Sequence, residues 1–174
     1  MLHPKPTWSP KWVSGFYRVQ SANTPLSAVL LRVNKLVFLH RPKLRDLDKT
    51  EENRELVKNF LYDVMQGNNL DKTPDYFDGD NYIQHNSGIA DGVSGLNAAL
   101  GAMAEQGISM VYDEVHMVLA QGNFVLAVSE GTFGGVPTSY YDLWRVENGK
   151  IAEHWDVMET IADQSTWQNE NGKF

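Results

Sequence analysis

The sequence predicts an α+β domain, with helices first and an antiparallel sheet after them. Two observations carry this. Leu56, Val57, Phe60, Leu61, Val64 and Met65 recur at the spacing of one helix face. After Gly107 the apolar period shortens to two, in segments rich in β-branched and aromatic residues and separated by turn dipeptides.

In chain order, Asp48 and Glu51 are spaced as a capping box at the start of the first helix, and Gly67 is its natural stop. Residues 69–77 read as a short second helix that ends in the turn-rich Asp78-Gly79-Asp80-Asn81. Tyr82-Ile83-Gln84-His85-Asn86 is a brief extended segment, and residues 88–95 form a loop. A third helix spans 96–106, with Leu96, Leu100, Met103 and Ala104 inward. Four strands follow over 108–120, 124–133, 138–146 and 150–159, broken at Gly122-Asn123, Gly134-Gly135-Val136-Pro137 and Asn148-Gly149.

With 174 residues the chain is most simply one domain over 46–174, preceded by a basic extension over 1–45. That extension carries eight Lys or Arg and no acid, whereas the remainder has seven basic against 22 acidic residues. The acidic body gives no reason to expect nucleic-acid binding. Residues 26–39 are apolar but too short, and too interrupted by Arg32 and Lys35, to cross a membrane. The extension reads as a disordered arm, an added strand or an upstream start ahead of a transit peptide, and a cytoplasmic location is expected. Without cysteine there are no disulfides or thiolate-bound metals. His85, His116 and His154 lie on separate elements, so a metal is not expected.

The last hairpin concentrates the chemistry, and its register decides which residues share a face. A two-residue Asn148-Gly149 loop would put Asp142 and Asp156 on opposite faces. A three-residue Glu147-Asn148-Gly149 loop pairs Val146 with Lys150, Tyr140 with Asp156, Asp142 with His154 and Trp144 with Ala152. The second choice sorts the side chains better. Tyr140, Asp142, Trp144, His154, Asp156 and Met158 then line one face, and Tyr141, Leu143, Arg145, Ile151, Glu153, Trp155 and Val157 the other. Two carboxylates, an imidazole and large rings make a poor core and a plausible pocket. The plainer alternative is an Asp142–His154 cross-strand pair with Asp156 solvated.

Helices followed by Tyr82-Ile83-Gln84-His85-Asn86, Ala90-Asp91-Gly92 and the segment from Asp142 to Asp156 resemble the SnoaL-like polyketide cyclase group of the nuclear transport factor 2-like superfamily. The resemblance covers residues 46–174. It implies a cone: a curved antiparallel sheet wrapped on the helices around a pocket, with the outer sheet face forming a homodimer. It further implies aldol-type ring closure on a small hydrophobic carbonyl compound without a cofactor, with a carboxylate as acid/base. Carried onto this chain, Asp156 becomes the base, Tyr140 the phenol donor, and Asp142 with His154 the orienting pair. Where those enzymes present Gln and His on the third strand, this chain has Tyr140 and Asp142.

Tyr82, His85 and Asn86 are candidate ligand contacts at the mouth, although His85 and Asn86 read equally well as turn groups bonding their own backbone. Trp144, Phe133 and Met158 line the cavity or simply fill it. His116 reads as solvated or interfacial. The rival functions on the same fold are a non-catalytic small-molecule binder and a protein-interaction module.

Overall fold

The computed structural model describes residues 42–174, and the expectations for the basic extension up to residue 41 lie outside the described residues. No helix among the described residues is long and apolar enough to cross a membrane. Lys43 and Arg45 are already tied to the domain. Arg45 N–H donates to Asn123 Oδ1 at 2.8 Å, and the Asn123 side-chain amide donates to the Lys43 carbonyl at 3.2 Å.

Helix α1 spans Thr50–Phe60 and continues as one wide π turn over Leu61–Met65. The expected capping box does not form. Asp48 lies inside a preceding 3-10 turn, Leu47–Lys49, and helix α1 begins without a side-chain cap. Thr50 Oγ1 instead accepts the Gly122 N–H at 2.9 Å, which anchors the helix start to the sheet. The second helix is a 3-10 segment, Leu70–Tyr76, because Pro74 within it cannot donate to an α ladder. Buried Asp63 fastens this segment to the π turn. Its carboxylate accepts the Tyr76 phenol at 2.5 Å, the Asn69 amide at 2.6 Å and the Lys72 ammonium at 3.2 Å.

Helix α2, Gly92–Glu105, begins four residues before the sequence expectation. Asp80, from the preceding turn, accepts both Ser94 N–H at 2.7 Å and Ser94 Oγ–H at 2.9 Å, so a tertiary contact satisfies the first turn. No local pattern announces such a cap.

Five strands follow the order β1-β5-β4-β3-β2, where β1 is Ile83–Gln84, β2 Met110–Gln121, β3 Phe124–Phe133, β4 Val136–Glu147 and β5 Lys150–Thr160. β1 pairs parallel to β5, and every other pairing is antiparallel. The inner face packs on α1 and the turns after it. Phe60 sits at the centre, edge-on to Tyr76, Phe77 and Trp144 with ring centroids 5.3, 5.7 and 5.8 Å away. Val57, Val125, Ala127, Val146 and Ile151 complete this core. Gly131 permits the curvature of the β2–β3 pair, since a Cβ there would lie 1.9 Å from the Val111 carbonyl oxygen.

The β4–β5 hairpin corrects the expected register. Its loop is the two-residue one, with Asn148 and Gly149 both at positive φ (52° and 71°) and Glu147 paired with Lys150. Val146 pairs with Ile151 but Arg145 pairs with Glu153, so Ala152 is left over as a bulge. The extra residue reverses the parity of β5. Before it Ile151 faces the core, which removes Ile151 from the outer face where alternation had put it. After it His154, Asp156 and Met158 face inward. The true partners are Tyr140 with Met158, Asp142 with Asp156, and Trp144 with His154. The expected grouping of the polar side chains on one face is therefore observed, displaced by two residues and produced by a different device.

Candidate functional site

The inward polar residues of β4 and β5 open into a cavity of about 600 Å³ between the sheet, α2 and the end of α1. Its walls are mostly apolar, from Phe60 and Phe77 on one side to Leu96, Leu100 and Met103 on the other. Of the residues singled out in the sequence, Tyr82, Asn86, Phe133, Asp142, Trp144, His154, Asp156 and Met158 all line it.

Tyr140 and His85 do not. Tyr140 is buried behind the wall, where its phenol donates to the Thr132 carbonyl at 2.8 Å and its ring stacks on Tyr112 at 4.2 Å. Burial, with Asp142 beside it, pushes the Tyr140 phenol up to about 12. His85 points to the outer face, where it meets Glu153 at 2.7 Å and stacks on Trp155 at 4.5 Å. Successive residues of an extended chain project to opposite sides, so Gln84 and Asn86 turn inward and His85 between them cannot.

Two lining residues escaped the sequence reading. Tyr112 donates its phenol to Asp142 Oδ2 at 3.1 Å, and Gln84 bridges three groups. Alternation with Asn86 is a signal that would have found Gln84. Tyr112 had none, because register shifts at Asp113 and His116 break the alternation of β2.

The hydrogen bonds around Gln84 select one tautomer of the neutral His154 ring. The Asn86 backbone N–H donates to Gln84 Oε1 at 3.0 Å, so the amide oxygen faces the chain and the NH2 faces the cavity. That NH2 lies 3.2 Å from His154 Nδ1 and 3.3 Å from the Tyr82 hydroxyl. A donor at Nδ1 makes that nitrogen the acceptor, so the ring proton sits on Nε2, aimed at Asp142 Oδ1 3.0 Å away. The imidazole is clamped between Trp144 and Tyr82, whose ring centroids lie 5.3 and 6.5 Å away. Tyr82 accepts from Gln84, which leaves its own O–H to donate elsewhere, and the residue lines the cavity.

The two carboxylates are thereby differentiated. Asp142 is 1% exposed, and both its oxygens accept, from Tyr112 and from His154. Asp156 is half-buried, and among the described residues only its Oδ2 is engaged, by the Asn86 amide at 2.8 Å. Burial pushes the phenols of Tyr82 and Tyr112 well above their ordinary range, and the negative charge of Asp142 adds to the effect. Both therefore remain proton donors at neutral pH.

A second polar group lies outside the cavity. His116 has Glu114 at 3.8 Å from Nδ1 and Glu130 at 3.5 Å from Nε2, and it stacks on Phe174 at 4.1 Å. With one carboxylate on either side of the ring, this is an imidazole held between two acceptors.

A family profile described as SnoaL-like domain matches residues 57–154, more than half the chain, a span that holds Asp142 and His154 and ends two residues before Asp156. The chain belongs to the SnoaL-like family. A search of curated proteins returns no match. Among solved structures, a cystatin-like-fold protein of unknown function from Xanthomonas campestris is 23% identical, covering 65% of this chain and 92% of that one at a TM-score of 0.51. A candidate ketosteroid isomerase from Kribbella flavida is 13% identical, covering 72% and 94% at a TM-score of 0.55. A nuclear transport factor 2-like protein of unknown function from Burkholderia xenovorans is 18% identical, covering 71% and 99% at a TM-score of 0.52. At these identities the likeness is one of fold. The fold they share with this chain is the one described as cystatin-like or nuclear transport factor 2-like.

Proposed function

We propose that this SnoaL-like protein is an acid/base enzyme acting on a small hydrophobic carbonyl compound, with Asp156 as its base. The observation that carries this reading is the division of labour between the facing carboxylates. Asp142 has both oxygens occupied, whereas Asp156 offers one oxygen to a cavity walled by aromatic and aliphatic side chains. Asp156 Oδ1 takes the proton next to the substrate carbonyl, and the electron pair moves onto the carbonyl oxygen. Tyr82 O–H donates to that developing oxyanion, taking the part first given to Tyr140. Asn86 orients the base, while Asp142, Tyr112 and Gln84 hold His154 as a rigid wall beside it. Return of the proton to another carbon completes an isomerisation. Attack of the enolate carbon on a second carbonyl, whose oxygen takes back the proton held by Asp156, completes an aldol closure.

Exchange of the α-protons of cyclic and aromatic ketones for deuterium, followed by NMR, tests the first step without choosing between those outcomes. Enzyme-dependent exchange is expected, and Asp156→Asn should slow it at least about 100-fold. Full exchange by that variant overturns the reading. The outer sheet face, with Met117, Leu119 and Val157 exposed, supports a homodimer contact there, which Val157→Glu should disrupt in light scattering.

A further inference from the structure

The charge inventory of the cavity is lopsided. Asp142 and Asp156 both line it, directly opposite one another, and among the described residues no Lys or Arg does. His154 is directed at Asp142 Oδ1 through Nε2 and at the Gln84 amide through Nδ1, so neither ring nitrogen meets Asp156. Like charges directly across a strand pair are destabilising. Among the described residues Asp156 is matched by no cationic side chain, and its second oxygen has no hydrogen-bond donor. The side chains of Tyr82, Trp144, Phe60 and Phe77 line the same mostly apolar cavity. A carboxylate with an open oxygen and no Lys or Arg beside it, in such a cavity, favours an organic cation over a neutral or anionic ligand.

We propose that the cavity selects its ligands by charge: it takes hydrophobic amines as their ammonium ions in preference to neutral isosteres, and it excludes carboxylates and phosphates. The ammonium sits against Asp156 Oδ1, and the hydrocarbon body fills the apolar end formed by Leu96, Leu100 and Met103. The proposal rests on the same cavity as the acid/base reading but not on turnover. It makes an amine an inhibitor or a substrate of the site, and it bars acids and phosphorylated compounds even when their carbon skeleton fits.

A matched tetralin series tests this by calorimetric titration at pH 7.5: 2-aminotetralin, 2-tetralol and tetralin-2-carboxylate, with one- and three-ring analogues of each. The amine should bind at least about tenfold more tightly than the alcohol, and the carboxylate at least about tenfold more weakly. In Asp156→Asn, with folding checked by circular dichroism, the amine-to-alcohol ratio should fall below about threefold. The ratio is the readout, so a general weakening of the variant does not imitate the effect. If Asp156→Asn does not fold, Asp142→Asn is read in the same way, since removing either carboxylate lowers the negative charge facing the ammonium. Binding of the carboxylate as tightly as the alcohol overturns the proposal. So does an amine preference that survives in the folded variant, or silence of every amine across the three ring sizes. An amine preference without ketone exchange leaves the proposal standing while the acid/base reading fails. Equal binding of all three together with Asp156-dependent exchange does the reverse.

Discussion

Asp142 on β4 stands directly opposite Asp156 on β5, and the bulge at Ala152 is what puts them there. A two-residue turn alone would send one carboxylate to the core and the other to the outer face. The whole site depends on one unpaired residue in a strand.

Deleting Ala152 should therefore do far more than removing a small side chain. With the Asn148-Gly149 turn unchanged, every residue of β5 beyond the deletion changes sides, which brings Trp155 inward and expels His154 and Asp156. Thermal denaturation followed by circular dichroism should show a midpoint lowered by about 10 °C or more, or no cooperative transition at all. Ala152→Gly keeps the residue count and should retain the fold. A deletion variant that melts like the wild type would show the bulge to be dispensable.

Tyr112→Phe removes one donor from a carboxylate that is 1% exposed. The orphaned oxygen of Asp142 should cost about 1–3 kcal/mol in chemical denaturation. Ketone exchange should fall as well, since Asp142 is then held by His154 alone. Unchanged stability would mean that water reaches Asp142.

Neighbouring residues of the mouth segment should behave oppositely. Asn86→Ala frees Asp156 from its one hydrogen bond and should reduce exchange about tenfold or more. His85→Ala loses a contact with Glu153 on the outer face and should leave exchange unchanged. A comparable loss in both variants would indicate a general disturbance of the segment.

The Tyr76–Asp63 pair sets limits on stability at both ends of the pH scale. Burial, with the Asp63 carboxylate beside it, raises the Tyr76 phenol from 10.0 to about 12. A raised pKa contributes stability that is fully present below 10 and is lost as pH climbs toward 12. The Tyr76 hydroxyl in turn holds Asp63 below 3.8, so its contribution is present above that value and lost as pH falls beneath it. Tyr76→Phe should flatten both flanks of a plot of melting temperature against pH. Flanks that keep their wild-type slopes would assign the titration to other groups.

Trp144→Ala opens a hole in the same wall. Trp144 is 1% exposed and touches both Phe60 and His154, so the loss should be about 3–5 kcal/mol. Urea denaturation measures it directly, and a loss below about 1 kcal/mol would mean that the wall closes over the gap.

Much of this could be read in the chain before any coordinates. Leu56 to Met65 announced α1, the change of period after Gly107 announced the sheet, and Asn148-Gly149 marked the last turn. The polar residues of the final hairpin were grouped correctly because the sorting of polar from apolar side chains is itself a constraint on register. That logic did not reveal the device, since a three-residue loop and a two-residue loop with a later bulge give the same parity. Tyr140 was misplaced for a different reason. It lies on the inward face, but its ring stacks on Tyr112 from a strand whose own irregularities hide it, and the phenol turns back to Thr132.

By itself the sequence determined the order of elements, the family of folds and the concentration of carboxylates, imidazole and rings in one hairpin, because periodicity and turn chemistry are local properties. Only the tertiary structure decided which phenol meets Asp142, which carboxylate keeps an open oxygen, and where the proton of His154 resides. Those depend on donors brought from β1 and β2, up to 70 residues away along the chain, and no local pattern encodes such a meeting.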